Sequence, residues 1–441
     1  MRPHRPGWPL LGDWPAFHWN APEFLLRIAR EQGDVAHFRL GRADAVLLSH
    51  PDLVREVLVD RAGEFTKGRL MQRARRLLGD GLLTSEGETH RIRRRQIQPA
   101  FTRERVREYG AFAASAAAER VSRWRGGARV RVDIEMNTIA MTLVAGALFG
   151  ADLEDELPAI GNALRVLARW APLLAAPGGR LLERARLPLL NRIRRSLELL
   201  DEVIERRVVA GSSDTPLMAA LRDRSGAMSS RQVRDEVMTI FLAGHDTSAA
   251  TLIWIWLLLG THPTVEAKLR RELTEVLSGR HPAPEDLERL EYTDMVVKEA
   301  LRLYPPIGRI GRRPVHRIEL GGITLERDTP VFLSPYVTHR DGRWFTEPER
   351  FRPERWAAPA PERPRFSWFP FGAGPRSCIG EYFARTVIPL VVATVAECWR
   401  LGAEHPKLPR TWPLLTLKPR GAVWMVAEPA PAQSRHTVGS L

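Results

Sequence analysis

Cysteine is nearly absent from this sequence, which holds two such residues among 441, Cys378 and Cys398. Two thiols cannot build the disulfide framework of a small secreted protein, nor supply the roughly four cysteine ligands of an iron–sulfur cluster. On one continuous helix the twenty residues between them would span roughly 30 Å, so they could not pair. Cys398, next to Trp399, is therefore expected to pack in the core, and a reduced Cys378 fits a cytoplasmic protein.

An uninterrupted apolar run of membrane-spanning length is also missing. The N-terminus, M-R-P-H-R-P-G-W-P-L-L-G, has no apolar stretch before its prolines, so neither a signal peptide nor a membrane anchor is expected. The most apolar long segment, residues 238–259, is interrupted at its centre by the triplet H-D-T, which a bilayer span would not place there without a function.

Acidic residues are in deficit: 66 lysines and arginines face 52 aspartates and glutamates, which gives a net charge of +14 and a pI near 10.7. Such an excess suggests an acidic macromolecular partner or a nucleic acid. The basic residues are scattered through helical segments without a recognisable nucleic-acid-binding module, so nucleic acid is disfavoured. The length allows either two or three ordinary domains or one large α-rich domain.

The pattern of apolar residues, prolines and glycines predicts a mainly helical chain with small β regions. Residues 1–20 are expected to run extended over the surface, and a tail from about Pro429 to residue 441 is expected to be disordered. Ser230 is expected to cap the longest helix. The predicted helices include 22–32, 87–101, 103–125, 133–149, 193–209, 231–260 and 382–400, and the predicted strands include 35–40 and 45–49.

The decapeptide F-G-A-G-P-R-S-C-I-G begins at Phe371 and places Cys378 just before a helical segment. The positive end of a helix dipole is expected to make a thiol there more readily ionised, as a metal-bound thiolate requires. Gly374 and Gly380 allow a large flat partner to approach the backbone and leave N–H groups for the sulfur. Arg376 offers a cationic fork for a carboxylate such as a haem propionate, and Phe371 can shield the sulfur from water.

The spacing in this decapeptide resembles the cysteine-ligand loop of the cytochrome P450 family, which implies that Cys378 binds the haem iron. The alternative is a buried structural cysteine in a glycine-rich turn. A second resemblance lies in His90 and Arg94, which are four residues apart and share one helix face. In that family a Trp or His followed four residues later by Arg binds haem propionates, whereas a solvated basic helix is the alternative.

The segment A-G-H-D-T-S begins at Ala243, in the middle of the longest predicted helix. Gly244, together with a threonine that bonds back to a carbonyl, predicts a kink or a widened turn, and packing against another helix is the alternative for the glycine. The resemblance implies that Ala243 and Gly244 border the haem. It also implies that Asp246 and Thr247 form the acid–alcohol pair that delivers protons for oxygen activation, whereas His245 is expected to be an ordinary, satisfied histidine.

Glu299 and Arg302 stand three apart on one face of a helix that two prolines end. Such a pair is usually exposed and worth little, but the flanking leucines favour a buried pair with further partners. The resemblance completes it with Arg355, and Trp356 stands where the family usually has Phe. A further haem-propionate contact is expected from Arg312, with Arg309 and Arg313 left open as alternatives.

The resemblance implies a single-domain, mainly helical cytochrome P450 fold over residues 1–441, with haem b as cofactor. The activity implied is that of a haem-thiolate monooxygenase, which inserts one atom of O2 into a hydrophobic small molecule such as a terpenoid or fatty acid. Electrons are expected from a separate acidic ferredoxin or flavodoxin with its reductase, docking on a basic surface that includes Arg91, Arg93 and Arg95. A monomer is expected, and a haem-binding sensor or scavenger is the alternative function.

Overall fold

The computed structural model describes residues 8, 10–150, 155–174, 188–209, 215–222, 228–360, 362–413 and 415–430. Its α-helices are α1 (Trp14–Gln32), α2 (Pro51–Arg55), α3 (Arg69–Leu78), α4 (Gly87–Ile97), α5 (Arg103–Ser122), α6 (Val132–Phe149), α7 (Leu157–Leu174), α8 (Pro188–Val209), α9 (Pro216–Arg222), α10 (Ser230–Thr261), α11 (Pro263–Leu277), α12 (Glu291–Leu303), α13 (Pro335–Thr338) and α14 (Glu381–Cys398). Its strands are β1 (Val35–Leu40), β2 (Ala43–Leu48), β3 (Phe65–Lys67), β4 (Ala128–Arg131), β5 (Ile310–Pro314), β6 (Ile318–Leu320), β7 (Ile323–Leu325), β8 (Val331–Leu333), β9 (Trp399–Ala403), β10 (Thr411–Pro413), β11 (Leu417–Pro419) and β12 (Trp424–Pro429). The prediction of a mainly helical chain with small β regions is confirmed.

The β regions form one larger sheet and three small ones. The larger sheet has the strand order β1-β2-β8-β5-β3, in which only the β2–β8 pair is parallel. A three-stranded sheet has the order β4-β12-β9, and two hairpins pair β6 with β7 and β10 with β11. The β10–β11 hairpin packs near the middle of α10, where Thr416 contacts Asp246.

Helix α10 is the longest helix described, and its cap is better built than the sequence predicted. The Ser229 hydroxyl accepts a hydrogen bond from the Gln232 N–H at 3.3 Å, and the Gln232 side chain accepts one from the Ser229 N–H at 2.8 Å. These reciprocal bonds form a capping box. The predicted cap, Ser230, is wrong by one position because Ser230 is already the first helical residue.

The apolar character of α10 is explained by its surroundings. Helices α6 and α10 are long and apolar enough to cross a membrane by length and composition alone, but 61% and 83% of their apolar windows are buried inside the protein. The two helices pack along each other. Helix α14, which follows Cys378, packs against α5, α10 and α12, so the cysteine loop is anchored in the same helical core.

The N-terminal prediction needs a correction. The chain is helical from Trp14, not extended to residue 20, because Trp14 stacks on His18 at 4.6 Å and so supports a first helical turn. The helix bends at Asn20 (φ −156°, ψ 76°), two residues before Pro22, whose missing N–H interrupts the helical hydrogen bonds.

The two ends of the chain are only partly described. Residues 1–7 of the predicted extended segment and residues 431–441 of the predicted tail lie outside the described residues. Pro429 still belongs to β12, and the Ala430 N–H donates to the Cys398 carbonyl oxygen at 2.9 Å. The tail prediction is therefore wrong for Pro429, because that residue pairs with Trp399 of β9.

Candidate active site

Cys378 lies in the loop just before α14, whose N-cap residue is Gly380. The Cys378 N–H donates to the Phe371 carbonyl oxygen at 2.8 Å, which closes the decapeptide on itself. Gly374 has a φ of +69°, and a Cβ atom there would lie 1.9 Å from the Leu58 carbonyl oxygen, so only glycine fits. A contact that requires glycine at position 374 therefore fixes the backbone that carries the cysteine.

The Cys378 side chain is surrounded by protein, yet it remains accessible to solvent. The two observations agree if the thiol faces a space within the protein. Burial raises the pKa of this thiol to about 11, although the Gly380 N–H and the Arg94 guanidinium act to lower it. The expectation of a readily ionised thiol is therefore wrong. Removing the thiolate from water destabilises it more than the N-terminal end of the helix stabilises it. A metal ion that binds this sulfur has to displace its proton.

Several basic side chains gather beside the cysteine loop, and each influences the titration of others in the group. Burial, followed by the neighbouring positive charges, lowers the pKa of His90 to about 4, that of Lys67 to about 7 and that of Arg312 to about 10. His90 is therefore neutral near pH 7. The basic cluster consists of Lys67, His90, Arg94, Arg312 and Arg376.

Glu86 is the carboxylate that the described residues place in this basic cluster. It forms an ion pair with Arg376, and it accepts a hydrogen bond from the Lys67 N–H at 2.8 Å. Arg94 donates to the Ser377 carbonyl oxygen at 2.7 Å and so ties α4 to the cysteine loop. Positive charges thus outnumber negative ones in a place with little water. A ligand with two carboxylates, such as haem with its two propionates, fits this imbalance.

Among the three arginines considered for a propionate contact, Arg312 belongs to the basic cluster. Arg313 donates to the Asp328 carboxylate at 2.6 Å, which neutralises its charge. Arg309 is half-buried, with its guanidinium 5.2 Å from the centre of the Phe17 ring. These contacts favour Arg312 over the two alternatives.

The middle of α10 is largely buried, but Ala243 is exposed there and Thr247 is half-buried. The Thr247 hydroxyl donates to the Ala243 carbonyl oxygen at 2.7 Å, which is the predicted bond to the preceding turn. The widened turn, by contrast, is not found, since α10 is α-helical throughout Ser230–Thr261. A Cβ atom at Gly244 would lie 2.9 Å from Val144 of α6, so this glycine permits close helix packing. The predicted alternative for Gly244 is therefore the correct one.

Asp246 is buried and has two partners near the β10–β11 hairpin. The Thr416 hydroxyl donates to Asp246 Oδ2 at 2.7 Å, and the Lys418 ammonium forms an ion pair with Oδ1. Burial by itself would raise the pKa of Asp246, but the charge of Lys418 outweighs it with help from His245, so the pKa is lowered. The His245 Nδ1 lies 3.1 Å from the Phe241 carbonyl oxygen, which makes it the satisfied histidine that was expected.

A sequence model of the cytochrome P450 family matches residues 3–425 of the chain. The chain belongs to the cytochrome P450 family. It is 36% identical over 411 residues to cyclooctat-9-en-7-ol 5-monooxygenase of Streptomyces melanosporofaciens, covering 89% of this chain and 88% of that protein. Cyclooctatin synthase of the same organism is 35% identical, over 96% of this chain and 94% of its own length. Pentalenene oxygenase of Streptomyces avermitilis is 32% identical, over 84% and 85% respectively.

As a cytochrome P450, the protein uses haem b and is a monooxygenase that takes a substrate, O2 and electrons from a redox partner. The predicted family, fold, cofactor and class of reaction are confirmed. The alternative of a haem-binding sensor or scavenger is not supported, because the similar proteins are named as oxygen-inserting enzymes.

The structure places the predicted ion-pair residues of this P450 in one buried cluster. Arg302 forks onto both oxygens of Glu299 at 2.8 and 2.9 Å, and the Arg355 Nε donates to Glu299 Oε1 at 2.9 Å. The Trp356 indole N–H adds a bond to Glu299 Oε2 at 2.9 Å. A phenylalanine at position 356 would lack that donor, so the departure from the family pattern adds a hydrogen bond.

The predicted basic docking surface of the P450 needs a correction at Arg93. This side chain is buried, with its guanidinium 3.4 Å from the Glu236 carboxylate of α10. Its neighbours on α4, Arg91 and Arg95, are exposed. Successive residues of a helix point in different directions, so the alternate arginines in R-I-R-R-R could not all lie on one face.

Only one of the two cysteines of this P450 lies beside the basic cluster. Cys398 is at the far end of α14, where its thiol donates to Glu397 Oε2 at 3.3 Å. Burial and the Glu397 carboxylate raise the pKa of Cys398 to about 12. The core role expected for Cys398 holds only in part, because its side chain is partly exposed.

Some residues of the P450 site gave no sequence signal that we recognised. Lys67 belongs to the basic cluster but lies in a short edge strand, and its Nζ is held by the Ser85 carbonyl oxygen at 2.8 Å. Thr416 and Lys418 meet Asp246 across 170 and 172 positions of the chain. A pairing over such distances leaves no local pattern in the sequence.

Proposed function

We propose that Cys378 is the thiolate ligand of the haem and that this P450 oxidises a terpenoid. The observation that carries the ligand assignment is an enclosed but accessible thiol next to a buried basic cluster with too few carboxylates. Haem bound through a thiolate supplies the oxidising power that inserts an oxygen atom into a C–H bond. The side chains of this protein hold the haem and deliver protons, and a redox partner supplies electrons.

The residues that hold the haem act by charge and by shape. The arginines pair with the two propionates, and neutral His90 donates one N–H to them. Gly374 lets the loop that carries the sulfur pack against Leu58, and Phe371 keeps water from the sulfur. The residues we assign to haem contact are His90, Arg94, Ala243, Gly244, Arg312, Phe371, Gly374, Arg376 and Gly380. Glu299, Arg302 and Arg355 have a structural role, since they fix the segment that leads to the cysteine loop.

Asp246 and Thr247 are the groups that we assign to proton delivery. Asp246 is kept ionised by Lys418; if that ion pair opened, burial would favour the protonated carboxyl, which would take a hydronium proton from solvent and leave water. Thr247 follows it on the helix, and its hydroxyl can turn from the Ala243 carbonyl to pass a proton on. Lys418 thereby controls when Asp246 takes up a proton.

The terpenoid class rests on the relatives, whose names specify cyclooctat-9-en-7-ol and pentalenene. It agrees with the apolar cluster that includes Leu82, Phe241 and Leu242 beside the exposed face of α10. A screen for the haem spin-state shift should give larger responses to cyclic terpene alcohols than to fatty acids of equal carbon number. Equal or reversed responses would reject this substrate class.

The redox partner that we infer is an acidic ferredoxin or flavodoxin with its reductase, and we infer that the P450 is a cytoplasmic monomer. Exposed Arg95 on α4 and the net charge of +14 support an electrostatic encounter, whereas the charge of exposed Arg91 is offset by its ion pair with Glu88. The rate of reduction should therefore fall as ionic strength rises. A rate that does not depend on salt would exclude this mode of docking.

The cysteines provide a matched test of the ligand assignment. In the Cys378→Ser variant, the reduced protein with carbon monoxide should lose the red-shifted Soret band that marks thiolate-ligated haem. The Cys398→Ser variant should keep this band, because its sulfur lies at the opposite end of α14. Loss of the band in the second variant and its survival in the first would refute the proposal.

A further inference from the structure

At the end of α14 remote from Cys378, three side chains of different types converge at the surface. Glu397 and Cys398 form the last turn of that helix, and His281 comes from the segment that follows α11. Their ligand atoms, His281 Nδ1, a Glu397 oxygen and Cys398 Sγ, all lie within 4.8 Å of one another. The 18 residues of α14 separate this place from the haem site by roughly 27 Å.

Two of the three distances between these atoms match the edges of a metal-coordination tetrahedron, and the third, from His281 Nδ1 to Cys398 Sγ, is no longer than 4.8 Å. His281 Nδ1 lies 3.4 Å from Glu397 Oε2, and Cys398 Sγ lies 3.3 Å from the same oxygen. Zinc binds histidine nitrogen and carboxylate oxygen at about 2.0 Å and cysteine sulfur at about 2.3 Å, so neighbouring ligands of a tetrahedral ion are separated by roughly 3.3 to 3.6 Å. The three side chains therefore need little movement to surround one ion.

The chemistry of the set selects the kind of ion. A thiolate and an imidazole favour zinc and similar transition metals, whereas calcium and magnesium prefer oxygen ligands. The His281 side chain is 63% exposed, which leaves room for water in the fourth position. Arg280, the nearest residue in sequence with a positive charge, forms an ion pair with Asp286, so its charge is already neutralised.

We propose that His281, Glu397 and Cys398 form a surface site for a divalent transition-metal ion such as Zn²⁺, with water as the fourth ligand. On binding, the Cys398 thiol gives its proton to solvent and a metal–sulfur bond forms, so no electrons are transferred. The ion joins the segment after α11 to the end of α14. The proposal does not depend on the substrate or on the ligand of the haem.

The protein to be tested is the haem-loaded enzyme, stripped of loosely held metals with a chelator and titrated with Co²⁺. Binding at this site should give a thiolate-to-cobalt charge-transfer band in the near ultraviolet that saturates at one equivalent. One equivalent of Zn²⁺ should remove the band, since zinc prefers the same tetrahedral ligand set. The haem spectrum should not change during the titration.

Variants identify the ligands. The Cys398→Ser variant should lose the charge-transfer band, and His281→Ala should weaken Co²⁺ binding at least about tenfold. The matched control is His316→Ala, because His316 lies 3.1 Å from Glu64 in a histidine–carboxylate pair without a thiol. This control should bind Co²⁺ as the unmodified enzyme does. Absence of the band in the unmodified enzyme, or its persistence in Cys398→Ser, would overturn the proposal.

Discussion

Two fully buried glutamates, Glu299 and Glu236, show how differently this P450 treats a charge removed from water. Glu299 accepts five hydrogen bonds, from two arginines, an indole and a backbone N–H. Among the described residues, Glu236 accepts one, from the Leu82 N–H at 2.8 Å, and it has Arg93 at 3.4 Å. A buried charge is tolerated only as far as its partners replace water. The first glutamate is therefore a fixed part of the core, and the second is held less firmly.

The region around Glu236 is short of hydrogen-bond partners although it is tightly packed. A Cβ atom at Gly81 would lie 2.1 Å from the Thr239 hydroxyl, so the loop before α4 approaches α10 as closely as glycine allows. That loop leads to His90 and Arg94, so a weakly bonded contact positions two residues that we propose for the haem propionates. The buried atoms without a hydrogen-bond partner in the described part of the chain include Asp80 Oδ1, Ser85 Oγ, Arg93 Nη1, Glu236 Oε1 and Thr239 Oγ1, although Arg93 Nη1 and Glu236 Oε1 form the ion pair at 3.4 Å.

The largest effect on stability is expected at Glu299, the glutamate that accepts five hydrogen bonds. The Arg302→Met variant leaves Glu299 buried with part of its partners, which should lower the free energy of unfolding by about 4 kcal/mol. Urea unfolding measures this loss. The control is Arg27→Met, which breaks an ion pair with Glu31 whose side chains are both 56% exposed, and its expected loss is below about 0.5 kcal/mol. Equal losses in the two variants would show that the buried cluster is not the stabilising element.

The second prediction is that Glu236 makes the free energy of unfolding depend on pH. Burial raises the pKa of Glu236 from 4.5 to about 7. The folded protein therefore binds this proton more tightly than the unfolded chain, and stability should fall as pH rises from about 4.5 to 7, by up to about 3 kcal/mol. The Glu236→Gln variant cannot ionise and should lack that decline. Unfolding curves across this range should diverge, whereas parallel curves for the two proteins would exclude the shift.

Asp246 is intermediate between the two glutamates in how well its charge is compensated, because its partners are one hydroxyl and one ammonium group. The Lys418→Met variant should lose about 2 kcal/mol at pH 7. The pKa of Asp246 is lowered, so the ion pair stabilises the fold above pH 3.8 and loses its effect as pH falls through the folded pKa. The deficit of the variant should therefore shrink in acid. Lys418→Arg keeps the charge, and a loss as large as that of the Met variant would contradict the ion-pair explanation.

The sequence predicted what depends on local pattern and on recognised spacing. Helix α10 and strand β1 were predicted from the apolar pattern, and the decapeptide supplied the proposal for Cys378, which stays a prediction. Two expectations failed because tertiary surroundings decide them. The Cys378 thiol is hard to ionise because it is buried, and Arg93 is turned inward to Glu236. Lys418 could not be found at all, because its partner lies 172 residues away.

The smallest effect on stability is expected from removing a single hydrogen bond to Glu299. The Trp356→Phe variant removes the indole N–H that bonds Glu299 at 2.9 Å, but it leaves the other donors in place. We therefore expect a loss of about 1.5 kcal/mol, the lower end for a bond to a charged group.

The matched control is Trp368→Phe, because the Trp368 indole N–H is buried without a partner among the described residues. The two rings lie 5.3 Å apart and are both half-buried, so truncation should cost similar packing energy in each. The difference between their unfolding free energies then measures the hydrogen bond alone. If Trp368→Phe lowered the free energy of unfolding as much as Trp356→Phe, the indole hydrogen bond would contribute nothing. The Glu299 carboxylate would then be stabilised by its arginines.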